Sequence, residues 1–230
     1  MKAVRFLLSI MVEAIVFDLD ETLAVPDRDR ATILEDVTAA TGTPPISRES
    51  YLDAHRQHLT RKTREPIFAE LLAGRETDTD AEELTTAYRR TIAESLAPIS
   101  GVESLLAELK DTYSVGLLTN GPVRAQRDKL ETLGWERTFD AALVTGELEA
   151  GKPDPRAFGA ILSELDVDAA SAVYVGDDVE ADIAGATNAG MDAIQILKPD
   201  GPDPDDRALA HLEQHSIARE LPAVLGRLER

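Results

Sequence analysis

Residues 14–23 read Ala14-Ile15-Val16-Phe17-Asp18-Leu19-Asp20-Glu21-Thr22-Leu23. Four apolar residues run straight into an acidic turn, the pattern of a fully buried strand that ends at the rim of a sheet. Two carboxylates at i and i+2 directly after such a strand occupy a costly place for charge. A bound divalent cation relieves that cost. It also allows a division of labour, in which Asp18 attacks and Asp20 exchanges a proton with the leaving group.

Outward from that strand, the chain after residue 101 alternates short β-branched runs with amphipathic stretches. Strands are expected at Ser114 to Leu118, Ala141 to Val144, Ala172 to Val175 and Asp192 to Ile196. Helices are expected at Val123 to Leu133 and Pro155 to Leu165, the second opening on an Asp154 N-cap with proline at its first position. Strands alternating with helices predict an α/β fold, a doubly wound parallel sheet of five strands with helices on both faces.

Residues 27–96 break this rhythm. Helix-like segments around Arg30 to Ala40, Arg48 to Leu59, Glu65 to Leu72 and Ala81 to Leu96 contain no convincing strand. They predict an α-helical domain inserted into a core made of residues 11–26 and 97–230. The C-terminal segment from Asp203 to Arg230 is expected to be helical. Residues 1–10 are expected to be an N-terminal extension, with Met11 an alternative start.

In an open parallel sheet, ligands bind beyond the carboxyl ends of the strands. Three more strand ends carry polar residues. Thr119-Asn120-Gly121 at a strand-to-helix junction offers a hydroxyl and free N–H groups to a phosphate, although Thr-Asn-Gly is also ordinary turn chemistry. Gly151-Lys152-Pro153 supplies an ammonium in a chain where only six of the 24 basic residues are lysines. Such a compact point charge suits a group facing both a carboxylate and a phosphoryl oxygen. No Walker A loop is formed, because proline follows the lysine. Gly176-Asp177-Asp178-Val179-Glu180-Ala181-Asp182 gathers acidic oxygens whose chemistry suits a hard cation, Mg²⁺ better than Ca²⁺ when phosphate is present.

The order Asp18-x-Asp20-x-Thr22, Thr119, Lys152, Gly176-Asp177-x-x-x-x-Asp182 resembles the four motifs of the haloacid dehalogenase (HAD) superfamily. The likeness runs from about Val12 to Leu197. It is greatest to the subfamily with a helical C1 cap, which includes phosphoglycolate phosphatases and 5'-nucleotidases. The resemblance implies that Asp18 forms an aspartyl-phosphate and binds Mg²⁺, and that Asp20 is the general acid/base and lends its carbonyl to the metal. Thr119, with Asn120 and Gly121, would hold the phosphoryl group. Lys152 would stabilise its charge, and Asp177 would complete the metal ligands. Asp182 would support the site from behind, and Asp178 is grouped with it although its role is open. Glu21 stands where a glycine is common. Dehalogenases lack the second aspartate, so Asp20 argues against dehalogenation. A phosphatase, a phosphomutase and a binding or regulatory protein of the same fold stay open.

Composition narrows the class further. A net charge of −19 argues against nucleic acid or anionic membrane as partners. The absence of cysteine excludes disulfides, thiolate zinc sites and cysteine nucleophiles. No apolar run is long enough to cross a membrane, and Glu13 interrupts the apolar run that follows Lys2 and Arg5, so a cytoplasmic protein is expected. An acidic, lysine-poor surface suggests adaptation to high salt. The expected partner is a small phosphorylated substrate, handled by a monomer or homodimer. The most basic stretch, Tyr51 to Arg64, puts Arg56 and Arg61 forward for substrate binding; a solvated helix face explains it as well.

Overall fold

The computed structural model describes residues 11–228; the expected extension at 1–10 lies outside them. The first strand, β1 (Ala14–Phe17), is wholly buried. It is followed by the short β2 (Ala24–Pro26) and four helices, α1 (Arg30–Thr41), α2 (Arg48–Gln57), α3 (Glu65–Leu72) and α4 (Ala81–Ser95). The chain returns through β3 (Leu96–Pro98) and α5 (Val102–Leu109). It then alternates: β4 (Ser114–Thr119), α6 (Val123–Leu133), β5 (Ala141–Val144), α7 (Pro155–Leu165) and β6 (Ala172–Gly176). A π-helical turn, Val179–Ala184, runs into α8 (Gly185–Asn188). The last elements are β7 (Asp192–Leu197), β8 (Ala210–Glu213) and α9 (Ile217–Leu228).

The main sheet has the order β5-β4-β1-β6-β7-β8, and every pairing in it is parallel. Successive residues of a strand face opposite sides, so β1 divides its four side chains evenly. Ile15 and Phe17 join a cluster formed with α5, α6 and α9, whereas Ala14 and Val16 join a second cluster with α7 and α8. Each large apolar side chain so buried contributes about 1.5–3 kcal/mol. β1 lies between β4 and β6, the point where the connections turn from one half of the sheet to the other. That switch opens a crevice at the carboxyl ends, and Asp18 is the first residue past it.

One expectation about strands needs correction. The sheet has six strands, because β8 forms inside the segment expected to be helical. β8 is an edge strand with one of its four residues buried, so it carries almost no hydrophobic signal. The insertion is also flanked by a second, antiparallel sheet of β2 and β3, in which Ala24 faces Pro98 and Pro26 faces Leu96. Three-residue strands that each end in proline do not announce themselves by pattern. The helices of the insertion close around their own core, including Ile33, Leu34, Tyr51, Phe68 and Tyr88. Among the described residues, no helix is long and apolar enough to cross a membrane.

Candidate active site

Asp18 sits just past β1, is 7% exposed and donates its N–H to the carbonyl of Val175 at 2.9 Å. The chain then turns tightly: the N–H groups of Leu23 and Ala24 both return to the carbonyl of Leu19. Glu21 takes the left-handed conformation in this turn (φ 63°), which explains why a residue without a Cβ is common there.

Lys152 is 3% exposed and brings three partners to one ammonium. Its Nζ lies 2.8 Å from Asp18 Oδ1, 2.6 Å from Asp182 Oδ1 and 2.7 Å from the Tyr174 hydroxyl. Tyr174 in turn donates to the carbonyl of Leu118 at 2.8 Å, which fixes the phenol across the sheet. Asp182 is 1% exposed and accepts the N–H of Asp178 on its second oxygen at 3.0 Å. It can tuck under β6 because residue 176 is glycine: a Cβ there would stand 2.4 Å from Asp182 Oδ2. Asp177 accepts from Thr22 at 3.3 Å and from Lys198 Nζ at 2.6 Å.

Asp20 faces the other side of the cleft. Lys129 of α6 places its Nζ 2.5 Å from each of its oxygens, and Gln126 Nε2 donates at 2.9 Å. Gln126 also donates to Thr119 Oγ1 at 2.7 Å, so one amide links the carboxyl ends of β4 and β1.

Burial sets the electrostatics, and the charges then modify it. Burial pushes the Asp18 carboxyl up to about 8; Lys152 opposes this, while Asp182, Asp177 and Asp20 add to it. Burial likewise lifts Asp177 to about 6 against Lys198. Burial would raise Asp20 too, but Lys129 and Gln126 outweigh it and hold that carboxyl well below its ordinary value. The ammonium of Lys129 is drawn down to about 8 by burial, with Asp20 opposing and Arg64 and Arg30 adding. Asp18, Asp177 and Asp182 each offer an oxygen within 4.8 Å of the others. Four carboxylates here meet three ammonium groups. An added phosphate would leave a larger negative excess, so an oxygen-only donor set of this kind fits a hard divalent cation.

The fold thus brings Asp18, Asp20, Thr119, Lys152, Asp177 and Asp182 to one cleft. Asn120 and Gly121 are adjacent but otherwise engaged. Asn120 exchanges two bonds with the backbone of Lys152, at 3.0 and 2.9 Å, and Gly121 gives its N–H to Thr145 Oγ1. Asp178 is exposed and caps the π-helical turn, accepting from the N–H groups of Glu180 and Ala181. From the basic stretch, the Arg56 guanidinium is exposed and pairs with Asp53 at 2.8 Å. Arg61 is exposed as well, and its carbonyl accepts the N–H of Val123 at 3.0 Å. Of that stretch, Arg64 bears on Lys129, and His55 feels Arg64, Lys129 and Asp20.

A parallel sheet with this strand order, carrying acidic residues and a buried lysine at adjacent strand ends, defines a Rossmann-like fold with its site at the switch point. The chain belongs to the haloacid dehalogenase-like hydrolase family, whose sequence model matches residues 15–196. It is 33% identical over 149 residues to the N-acylneuraminate-9-phosphatase of Homo sapiens, a match covering 65% of this chain and 60% of that protein. It is 29% identical over 199 residues to the glyceraldehyde 3-phosphate phosphatase of Methanopyrus kandleri, covering 82% and 85%. In structure it is similar to a 2-haloacid dehalogenase of Pseudomonas syringae, with TM-score 0.68, 30% identity and coverage of 94% and 99%.

Proposed function

We propose that this chain is a Mg²⁺-dependent phosphatase that hydrolyses a small phosphorylated metabolite through an aspartyl-phosphate on Asp18. The observation that carries this is the contact of Asp18 with Lys152, beside Asp177 and Asp182 and across the cleft from Asp20. An Asp18 oxygen attacks phosphorus, and the bond from phosphorus to the ester oxygen breaks. Asp20, once it has taken up a proton from solvent against the pull of Lys129 and Gln126, gives that proton to the departing oxygen. It then takes one from the water that attacks the phosphoenzyme, so that Asp18 and inorganic phosphate are released. Thr119 donates to the phosphoryl group, and Lys152 offsets charge on both nucleophile and phosphate. Asp18, Asp177 and the Asp20 carbonyl would hold Mg²⁺, with Asp182 orienting Lys152. When bound, the ion would neutralise phosphoryl charge and keep Asp18 ionised.

The two relatives named above as phosphatases support this reaction class, and Asp20 weighs against the halide chemistry in the structural neighbour's name. Residues 27–96 would act as the cap that closes over the site and selects the leaving group. The same reading takes the enzyme to be cytoplasmic, monomeric or dimeric, and suited to high salt.

The test is hydrolysis of p-nitrophenyl phosphate in molar KCl, with and without Mg²⁺, by the wild type and Asp18→Asn. Turnover that needs Mg²⁺ and vanishes in the variant is expected. A folded wild type with no turnover, or turnover that survives the substitution, would overturn the proposal; the first result would turn attention to phosphomutase activity.

A further inference from the structure

On the insertion side of Asp20 the cleft changes sign. Arg64, at the start of α3, is 4% exposed, its Nε meets no hydrogen-bond acceptor, and its guanidinium lies 5.2 Å above the ring of Tyr88. Arg30, at the start of α1, is half-buried and lies 5.7 Å above the ring of Tyr51. Among the described residues, neither guanidinium forms an ion pair with a carboxylate, although the chain carries 43 acidic residues. The hydroxyls of Tyr51 and Tyr88 are fully buried and face each other, with no other hydrogen-bond partner among the described residues.

These groups lie close to Asp20 and its partner Lys129, both of which feel the Arg30 charge. Arg64 lines a narrow crevice together with Lys129, whose ammonium grips Asp20. The fields of Arg64 and Arg30 reach His55 of α2, and Arg30 also acts on Asp20. The Nε2 of His55 lies 3.7 Å from where a Cβ on Gly121 would stand.

A buried cation without a counter-ion is strongly destabilising, and a stacked ring offsets part of that at most. The carboxylates near Arg64 are already engaged: Asp128, which lines the same crevice, pairs with Arg89, and Asp20 and Glu21 act on Arg30. Asp20 is held by Lys129 and Gln126, and Asp18 and Asp182 by Lys152. The phosphoryl group has its own complement around Asp18. The unanswered positive charge therefore stands where the organic part of a phosphate ester would lie, past the proton donor.

We infer that the substrate carries a second anionic group, a carboxylate or another phosphate, on its leaving portion, and that Arg64 and Arg30 receive it between Tyr51 and Tyr88. This rests on the phosphatase assignment. It moves specificity from the exposed Arg56 and Arg61 to two guanidinium groups that lie apart in sequence and meet in the fold.

The experiment compares kcat/KM within matched pairs: 3-phosphoglycerate against glycerol 3-phosphate, and fructose 1,6-bisphosphate against fructose 6-phosphate. p-Nitrophenyl phosphate serves as the common reference, with all assays at one KCl concentration. At least one pair should favour its doubly anionic member by tenfold or more, with the pair that does so telling carboxylate from phosphate. Arg64→Gln should reduce that ratio to below threefold, mainly by raising KM for the anionic member. Arg64→Lys, which keeps a charge and guards against misfolding of the first variant, should restore part of it. Ratios near one in both pairs while p-nitrophenyl phosphate is turned over, or a ratio that survives both Arg64→Gln and Arg30→Gln, would overturn the inference alone. Absence of turnover on every ester would overturn the phosphatase assignment and this inference with it.

Discussion

Lys129 Nζ lies 2.5 Å from both carboxylate oxygens of Asp20, joining the middle of α6 to the turn after β1. The lysine side chain is 4% exposed and that of the aspartate 29%, so water screens the pair little. Lys129→Met should leave Asp20 with Gln126 as its only side-chain partner and cost about 2–3 kcal/mol, somewhat below the range for fully buried pairs. Urea unfolding at fixed KCl measures the loss, and kcat should fall with it as Asp20 loses its orientation. A variant within about 0.5 kcal/mol of the wild type would mean that the pair adds nothing net.

Glu21 is held at φ 63° by a turn that returns its N–H to Ala24, and Gln214 donates to its carbonyl at 2.6 Å. A side chain in that conformation costs on the order of 1–2 kcal/mol. Glycine avoids this but loses about 0.5–1 kcal/mol to chain entropy. Removing Glu21 also removes a carboxylate that repels Asp177. Glu21→Gly should therefore raise Tm by roughly 1–4 °C. An unchanged or lower Tm in calorimetry would show that the Glu21 side chain makes a compensating contact.

The insertion grips the core at a second place. Arg89 of α4 pairs with Asp128 of α6, while Val123 and Arg124 give their N–H groups to the carbonyls of Arg61 and Lys62. Those two donors belong to the first turn of α6, where a helix has no internal acceptor for them. Gly146 admits this contact, since a Cβ there would stand 2.6 Å from the Arg61 carbonyl. Gly146→Ala should push the loop away and speed hydrogen exchange at Val123 and Arg124 by tenfold or more, with the central sheet amides unaffected. Equal exchange in both proteins would show that the loop accommodates the methyl group.

His55 supplies a pH dependence. Burial, with Arg64, Arg30 and Lys129, lowers its pKa from 6.5 to about 3 in the fold. The unfolded chain binds a proton near pH 6.5 that the folded chain refuses until about 3. Its contribution to stability is thus complete above 6.5 and declines as pH falls through that window. Between pH 7 and pH 5 the wild type should lose more unfolding free energy than His55→Gln, measured by denaturant titration at one salt concentration. Parallel slopes would mean that His55 protonates normally in the folded protein.

Three of the strand-end motifs are legible because polar residues follow an apolar run within the next few positions, a local pattern, whereas Lys152 lies eight residues past β5. The lysine scarcity that drew notice to Lys152 applies equally to Lys129 and Lys198, and these three of the six lysines end on site carboxylates. Lys129 was hidden by lying mid-helix, at a spacing with no meaning until α6 is packed. Lys198 lies one residue past β7, beyond the last predicted strand. Tyr174 read as one more buried residue of β6, and only the fold turns its hydroxyl towards Lys152. Arg30 and Arg64 lie in different helices of the insertion, so no sequence window contains both. Strand β8 escaped for the opposite reason: its pairing lies in its backbone, and half-exposed side chains record little of it.

The ribbon of β2 and β3 has a bearing on how such a protein could change over time. Ala24 pairs with Pro98 and Pro26 with Leu96, so the outgoing and returning chains are clasped side by side before any of the four helices begins. Seen from the central sheet, everything between those strands is a single closed detour whose ends lie about 5 Å apart. The entropy of closing a loop rises only with the logarithm of its length. Helices could therefore be gained, lost or exchanged beyond the ribbon at little cost to the sheet and its carboxylates. A lineage holding that seam fixed can revise what it accepts while leaving its chemistry alone, and a protein engineer could graft a foreign insert across the same two strands.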